Sequence, residues 1–344
     1  MRGRGITYDT GFVRHGVNSR RHFDAGTAER ELLSIREELH CSAVRITGGD
    51  ADRLEVAAEL AAGLGLEVWF SPYPLELTGE QMLTLFADCA DRAERLRQRG
   101  GEVVFVTGAE LSLMNQGFLP GDTMEERLAL LQQPHRLREM IGEVGARVNA
   151  FLAEAVAVVR ERFGGKVTYA SVPIDRVDWT PFDIVAMDVY RSAEIAATFA
   201  ETFAEGMRSP SLQGKPVAIT EFGSATYRGA GDRGALGLEI VEYAPGAGPV
   251  RLTGEYERDE DGQATYLREL LEVFDAAGVD TAFVFLFALH DHPHRPGGDP
   301  RDDLDLASYG IVRTFDDPDR SFEPKAAFHA VADYFSRTPT RARR

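Results

Sequence analysis

The stretch VAITEFGSA, residues 217–225, is apolar as far as Thr220 and then sets a carboxylate, Glu221, where the apolar run ends. An unpaired buried carboxylate costs several kcal/mol, so a charge at that point needs a partner or a chemical role. Seven further short runs rich in β-formers share this character: GFVRHGV (11–17), SAVRITG (42–48), LEVWFSPYP (66–74), EVVFVTGAEL (102–111), KVTYASVP (166–173), FDIVAMDVY (182–190) and TAFVFLFALH (281–290). Long amphipathic segments separate them. Residues 78–99 open on Thr78 with Gln81 three positions on, a capping-box pattern, and keep Met82, Phe86, Cys89 and Ala93 on one face. Residues 136–163 hold the same period through Leu137, Ile141, Val144 and Val148. Near-continuous apolar strands alternating with helices indicate a parallel sheet covered on both faces. Eight such units fit a single-domain α/β fold, a closed (β/α)8 TIM barrel. A doubly wound open sheet is the alternative, although no GxGxxG turn follows the first run.

The chain has 344 residues, 44% of them hydrophobic, enough for one large α/β domain. Residues 1–336 are assigned to the barrel, including a long flap-like insertion at 226–262, and 337–344 to a disordered basic tail. A net charge of −17 repels phosphate backbones and argues against nucleic acid as a partner. No stretch of about 18 apolar residues exists, and the opening MRGRGITYDTGF lacks the apolar core of a signal peptide. The expectation is a cytoplasmic protein without membrane contact. Cys41 and Cys89 lie in apolar segments without metal-ligand spacing, as suits small core residues in a reducing compartment. Nothing in the sequence indicates its oligomeric state.

In a barrel the βα loops at the C-terminal ends of the strands build the site. The fourth run ends GAELSLMNQ with Glu110, and the seventh ends ITEFG with Glu221. A strand-end glutamate is as readily a helix-start or salt-bridge residue as a functional one. Two at the rim, on opposite sides of one mouth, are what glycosidic cleavage requires, one as acid for the leaving oxygen and the other as nucleophile or base.

With those residues in place the chain resembles the large clan of retaining glycoside hydrolases built on (β/α)8 barrels. In that clan the acid/base glutamate ends strand 4 and the nucleophile glutamate ends strand 7. The opening GFVRHGVNSRRHFDAGTAERELLSIREELHCSAVRI is similar to the clan's first strand, helix and second strand, with Arg45 as its arginine. Tyr190 stands where the clan often sets a tyrosine against the nucleophile, and SYGIVRTFDDPDRSFEPKAAF resembles its final loop and helix start. The resemblance implies Glu110 as acid/base and Glu221 as nucleophile, held ionised by Arg45 and Tyr190. Two departures stand out. Ala109 replaces the clan's asparagine before the acid/base glutamate, and Phe287, Leu289 and His290 stand where the clan has a strand 8 tryptophan.

Further candidate substrate contacts are Asp188, two residues before Tyr190, and His15, Asn115, Trp69 and His290. Each has a structural reading beside the functional one, Asp188 as a bond inside the barrel and His15 as part of a basic cluster with Arg14, Arg20, Arg21 and His22. The segment 290–308, HDHPHRPGGDPRDDLDLAS, is rich in histidine and aspartate but lacks an HExxH pattern, so it is read as a substrate-binding loop; no metal and no cofactor are expected. The 226–262 insertion holds two strand-like runs, 238–243 and 250–256, and is expected to fold as a β-hairpin over the mouth. The leading functional reading is retaining cleavage of a small glycosylated metabolite. Non-hydrolytic acid/base chemistry in biosynthesis, and a catalytically silent binding or defence protein, are the alternatives.

Overall fold

The computed structural model describes residues 1–244, 248–317 and 320–337. Eight strands form one sheet: β1 Gly3–Asp9, β2 Ala43–Gly48, β3 Glu67–Pro72, β4 Val103–Ala109, β5 Lys166–Ala170, β6 Val185–Asp188, β7 Val217–Phe222 and β8 Thr281–Val284. Its neighbours run parallel, and β8 returns to β1 with Thr281 opposite Gly3. Across the last gap the Ser171 N–H donates to Ala186 O at 3.2 Å and the Asp188 N–H to Ser171 O at 2.9 Å, so β5 meets β6 and the sheet curls into a nearly closed barrel. The surrounding helices are α1 Ala25–Glu37, α2 Ala51–Gly63, α3 Gly79–Gln98, α4 Pro134–Arg160, α5 Phe199–Gly206, α6 Glu260–Ala276 and α7 Ala326–Arg337. Between β5 and β6 the chain makes only a short turn, Pro173–Asp175. The capping box expected at Thr78 and Gln81 opens α3. Arg337 closes α7, and residues 338–344 of the expected basic tail lie outside the described residues. No helix among the described residues is long and apolar enough to cross a membrane.

The first strand lies earlier in the chain than its apolar content suggests. Residues 11–17 form a loop with a two-residue hairpin, Val13–Arg14 against Val17–Asn18, while the strand is GRGITYD. Its inner face is glycine because β8 fills the bore. A Cβ on Gly5 would stand 2.4 Å from Cδ1 of Phe283, and one on Gly3 2.4 Å from Oγ1 of Thr281. Trp69 and Phe283 cross edge-to-face at 4.8 Å as the large side chains of the bore, and Ala43, Ala170, Ala186 and Ala218 make room for them. The outer faces of the strands carry the larger apolar residues, which pack on the helices; Phe222 meets Phe274 of α6 at 5.1 Å.

The β7 insertion contains the expected hairpin in a shorter form, Val241–Tyr243 paired with Pro249–Leu252, preceded by tight turns over Gly234–Ile240. It is not a free flap. Ile240, Val241 and Leu252 are buried in a cluster with Leu304, Leu306 and Tyr309 from the loop after β8. Arg258 pairs with Asp303 at 2.9 Å and Asp305 at 2.6 Å, and the fully buried Lys325 reaches Asp305 at 2.7 Å from the start of α7. The histidine- and aspartate-rich segment is thus largely a scaffold, with His294 Nδ1 within 2.9 Å of Asp303.

Candidate active site

Two irregularities in the strands build the site. Along β7, Ala218 faces the bore and Ile219 the helices, yet the next residue packed outward is Phe222, three positions on instead of two. The register shifts there against both β6 and β8, so one extra residue is accommodated and Thr220 and Glu221 fall consecutively on the inner side. β4 does the same between Val106 and Ala109, where Gly108 takes φ +83°. Glu110 follows directly with φ +46°, a left-handed conformation that a non-glycine residue holds only when its surroundings impose it. Those surroundings are specific. The Glu110 N–H donates to Ala170 O at 3.0 Å, the Leu111 N–H to the Tyr169 hydroxyl at 2.8 Å, and that hydroxyl to Asp175 at 2.7 Å, which also accepts from Ser112.

Glu221 is buried and closely attended. The Tyr190 hydroxyl donates to its Oε1 at 2.5 Å, and Arg45 Nη1 lies 3.5 Å from its Oε2. Arg45 is fixed in turn by bonds from Nε to Ser71 Oγ and from Nη1 to Thr220 O, both 3.1 Å. Burial pushes the Glu221 carboxyl above its ordinary range, while Arg45 and the Tyr190 donor pull against that shift. Glu110 has no such helpers. Burial and then the charges of Glu221, Asp188 and Asp175 drive its carboxyl well above the usual range, and Arg45 opposes only weakly. Asp188 sits opposite Glu221 in the β6–β7 register and is also pushed well up by burial and by Glu221. Of the three carboxyls, Glu221 is therefore the one whose ionised form is best supported, and burial with neighbouring charge favours the protonated forms of Glu110 and Asp188. Tyr73 faces the same three acids, and burial raises its hydroxyl well above the normal phenol range.

The candidates divide sharply by location. Glu110, Glu221, Arg45, Tyr190 and Asp188 converge on one cup at the mouth of the barrel. Trp69 lies deeper, fully buried in the bore, its indole N–H donating to Glu67 at 2.9 Å, so it presents no face to a ligand. Asn115 is buried and bridges two loops, donating to Pro74 O at 3.0 Å and accepting from Leu77 N at 3.1 Å. His15 is exposed at the hairpin tip after β1. His290 lies 4.0 Å from Glu31, among Tyr8 and Arg20, and burial beside Arg20 holds its ring well below the ordinary histidine range. Two arginines of the basic cluster after β1 are held by acids: Arg20 pairs with Glu31 at 2.8 Å and Arg14 with Glu125 at 2.6 Å. Sequence reasoning missed Tyr73 and Phe285. Both continue an inward alternation, Trp69–Ser71–Tyr73 and Thr281–Phe283–Phe285, that could have located them. Phe285, not Phe287, is the aromatic at the end of β8 on the mouth side; it meets Tyr309 at 6.0 Å, whereas Phe287 packs outward on Phe322.

Comparison of whole structures finds this architecture elsewhere. A GH113 β-1,4-mannanase is 15% identical with a TM-score of 0.60, covering 98% of this chain and 99% of its own. The GH113 β-mannanase of Alicyclobacillus acidocaldarius is 17% identical with a TM-score of 0.57 over 97% of both chains. Thermotoga maritima Cel5A, solved with cellobiose, is 14% identical with a TM-score of 0.55 over 96% of this chain and 97% of its own. The chain has the fold of these glycosidase barrels. No family model and no curated protein matches the sequence. At these identities the likeness carries the single-domain (β/α)8 architecture, and the chemistry rests on the side chains.

Proposed function

We propose that the protein is a retaining glycosidase acting on a small glycosylated metabolite, with Glu221 as nucleophile and Glu110 as acid/base. The observation that carries this reading is the asymmetry of the two glutamates. Glu221 alone receives a phenol donor and a nearby guanidinium, whereas Glu110 faces other acids and keeps its proton. In the first step the Glu221 carboxylate attacks the anomeric carbon. The glycosidic C–O bond breaks, and the Glu110 proton passes to the departing oxygen. In the second step Glu110, now ionised, takes a proton from water, whose oxygen displaces Glu221 and regenerates the free carboxylate. The known neighbours act on chemically different sugars, so they supply a reaction class and not a substrate. A small substrate is favoured by the packed insertion and by the scarcity of exposed aromatic platforms, since Trp69 and Trp179 are both buried. Free, buried Cys41 and Cys89 agree with action in the cytoplasm.

The test is incubation with a panel of activated fluorosugars followed by peptide mass spectrometry. A covalent adduct on Glu221 is expected, absent from Glu221→Gln. Labelling of another residue, or of none, overturns the assignment. Ala109 favours a second reading, in which the same pair performs non-hydrolytic acid/base chemistry, because no amide stands beside Glu110 to hold a sugar 2-hydroxyl. That reading predicts turnover without release of a sugar by water.

A further inference from the structure

We infer that Asp188 is the specificity-determining residue of the cup and receives an amine, so that the substrate is an amino sugar glycoside. This rests on the glycosidase reading for the reaction, but the recognition argument stands on charge and geometry. Asp188 ends β6 directly opposite Glu221, is 6% exposed, and neither of its carboxyl oxygens has a hydrogen-bond partner of full geometry; the Thr220 hydroxyl stands beside it. A buried acceptor without a donor is an expensive feature, and it is relieved by a ligand that brings the donor. The Thr220 hydroxyl and Nη2 of the fully buried Arg45 are likewise without a partner.

Charge balance selects the kind of donor. Glu110, Glu221 and Asp188 share a single guanidinium, Arg45, whose Nε and Nη1 are already bonded to Ser71 and Thr220. With Glu110 protonated for its role as acid, Arg45 balances Glu221, and Asp188 takes up a charge only when an entering cation balances it. Other arginines of the surrounding loops are held by acids of their own: Arg14 by Glu125, Arg20 by Glu31, Arg191 by Glu269 at 2.8 Å and Arg233 by Glu239 at 2.7 Å. An anionic substrate group would meet three acids and, among the described residues, a single guanidinium already set against Glu221. An ammonium group on the sugar ring meets a carboxylate positioned beside the reacting carbon, and as it enters, the proton that the empty cup holds on Asp188 is released to solvent.

The experiment compares matched 4-nitrophenyl glycosides that differ only in carrying an amine, an acetamide or a hydroxyl at one ring position, with wild-type protein and Asp188→Asn. It adds calorimetric binding of the corresponding free hexosamines and hexoses, and Glu221 labelling on both proteins. The expected result is that wild type prefers the amine over its hydroxyl counterpart by about ten- to a hundredfold, the range of a hydrogen bond to a charged group. Asp188→Asn, which is isosteric, should bring that ratio close to one, and Glu221 labelling on both proteins reads separately whether the nucleophile still reacts. Labelling of Glu221 without any amine preference overturns the inference and leaves the glycosidase reading intact. Amine-selective binding that Asp188→Asn abolishes, without turnover or labelling, keeps the inference and removes the hydrolase. An amine preference that survives Asp188→Asn places the selecting group elsewhere and also overturns it.

Discussion

Tyr190→Phe isolates the hydrogen bond that distinguishes the two glutamates. The ring keeps its edge-to-face contact with Tyr309 at 6.1 Å, and only the 2.5 Å bond to Glu221 is lost. A hydrogen bond to a charged group is worth roughly 1.5–3 kcal/mol. At 1.36 kcal/mol per pKa unit, removing it from the ionised form raises the Glu221 carboxyl by about one to two units. The sign follows directly: burial already holds this group above its ordinary value, the Tyr190 donor opposes that shift, and its loss lets the proton bind more tightly. Because the nucleophile must be ionised, the acid limb of the pH profile for labelling of free enzyme moves to higher pH by the same one to two units. Well below the limb the rate falls about ten- to a hundredfold, while the plateau above it converges on wild type. The assay is the rate of Glu221 adduct formation by intact mass across the acid and neutral range. Tyr309→Phe is the control, since the Tyr309 hydroxyl bonds to Gly234 and Gly237 and not to Glu221. An unmoved limb with a uniformly lowered plateau would refute the charge-holding role and leave Tyr190 as a residue that only fixes orientation.

Trp69→Ala should destabilise the protein by about 3–5 kcal/mol, the cost of emptying a packed aromatic site, and show as a lowered Tm; an unchanged Tm with a raised KM would make the indole a sugar platform instead. Arg127→Ala takes from Glu76 its partner at 2.6 Å, leaving Arg14 at 3.2 Å and the Met124 N–H, and strips a buried donor from the Leu113 and Gly121 carbonyls, so it should cost about 3–5 kcal/mol; adding Glu76→Gln should restore part of it, and identical stabilities of single and double variants would show that the Glu76 charge contributes none of the cost. Asp9 is buried with its carboxyl raised to about 7, above the roughly 3.9 of an unfolded chain. The folded state therefore binds that proton more tightly, and the stability it contributes is full below about pH 3.9 and lost as pH rises through 7, with a ceiling of about 4 kcal/mol. Asp9→Asn, whose amide oxygen still accepts the Gly11 N–H, should raise Tm relative to wild type above pH 7 and not below about pH 3.9; a gain independent of pH would rule out Asp9 as the source.

The contrast between what the sequence carried openly and what it hid has a physical explanation. Long helices such as α3 and α4 and seven of the strands announce themselves because burial on the helix-facing side demands large apolar residues at a regular period. β1 did not, since its inner face is glycine dictated by Phe283 and Thr281, residues nearly 280 positions away. Trp69 was misread for the related reason that an aromatic on a barrel strand looks the same whether it stands at the mouth or fills the bore. What separates the two is depth along the strand. Trp69 is opposite Arg45 in the register, and the mouth is reached two alternations later, at Tyr73.

The two catalytic candidates expose a limit of another kind. A strict period of two from Ala218 puts Glu221 outward, among the residues that pack on α6, where a carboxylate would have no place. It is Phe222 that lies there, because β7 gains a residue between Ile219 and Phe222. The same deviation at Gly108 turns the end of β4 so that Glu110 follows in a left-handed conformation. Alternation alone therefore predicts the wrong face for Glu221, and the composition of the run gives the better clue: a carboxylate flanked by apolar residues fits only where the strand departs from its period. Such a departure costs pairing and backbone freedom, and here it delivers two buried acids to one cup with unequal access to Arg45 and Tyr190. Straightening β7 by deleting Thr220 should restore regular pairing with Glu221 still facing the bore and Phe222 still on α6, but without the Thr220 carbonyl that holds Arg45. The expected outcome is a folded protein with Glu221 labelling strongly reduced, since the carboxylate is drawn about 3.3 Å, one residue's rise, deeper into the bore and its arginine loses an anchor; labelling at the wild-type rate would show that the bulge does not set the reach of the nucleophile.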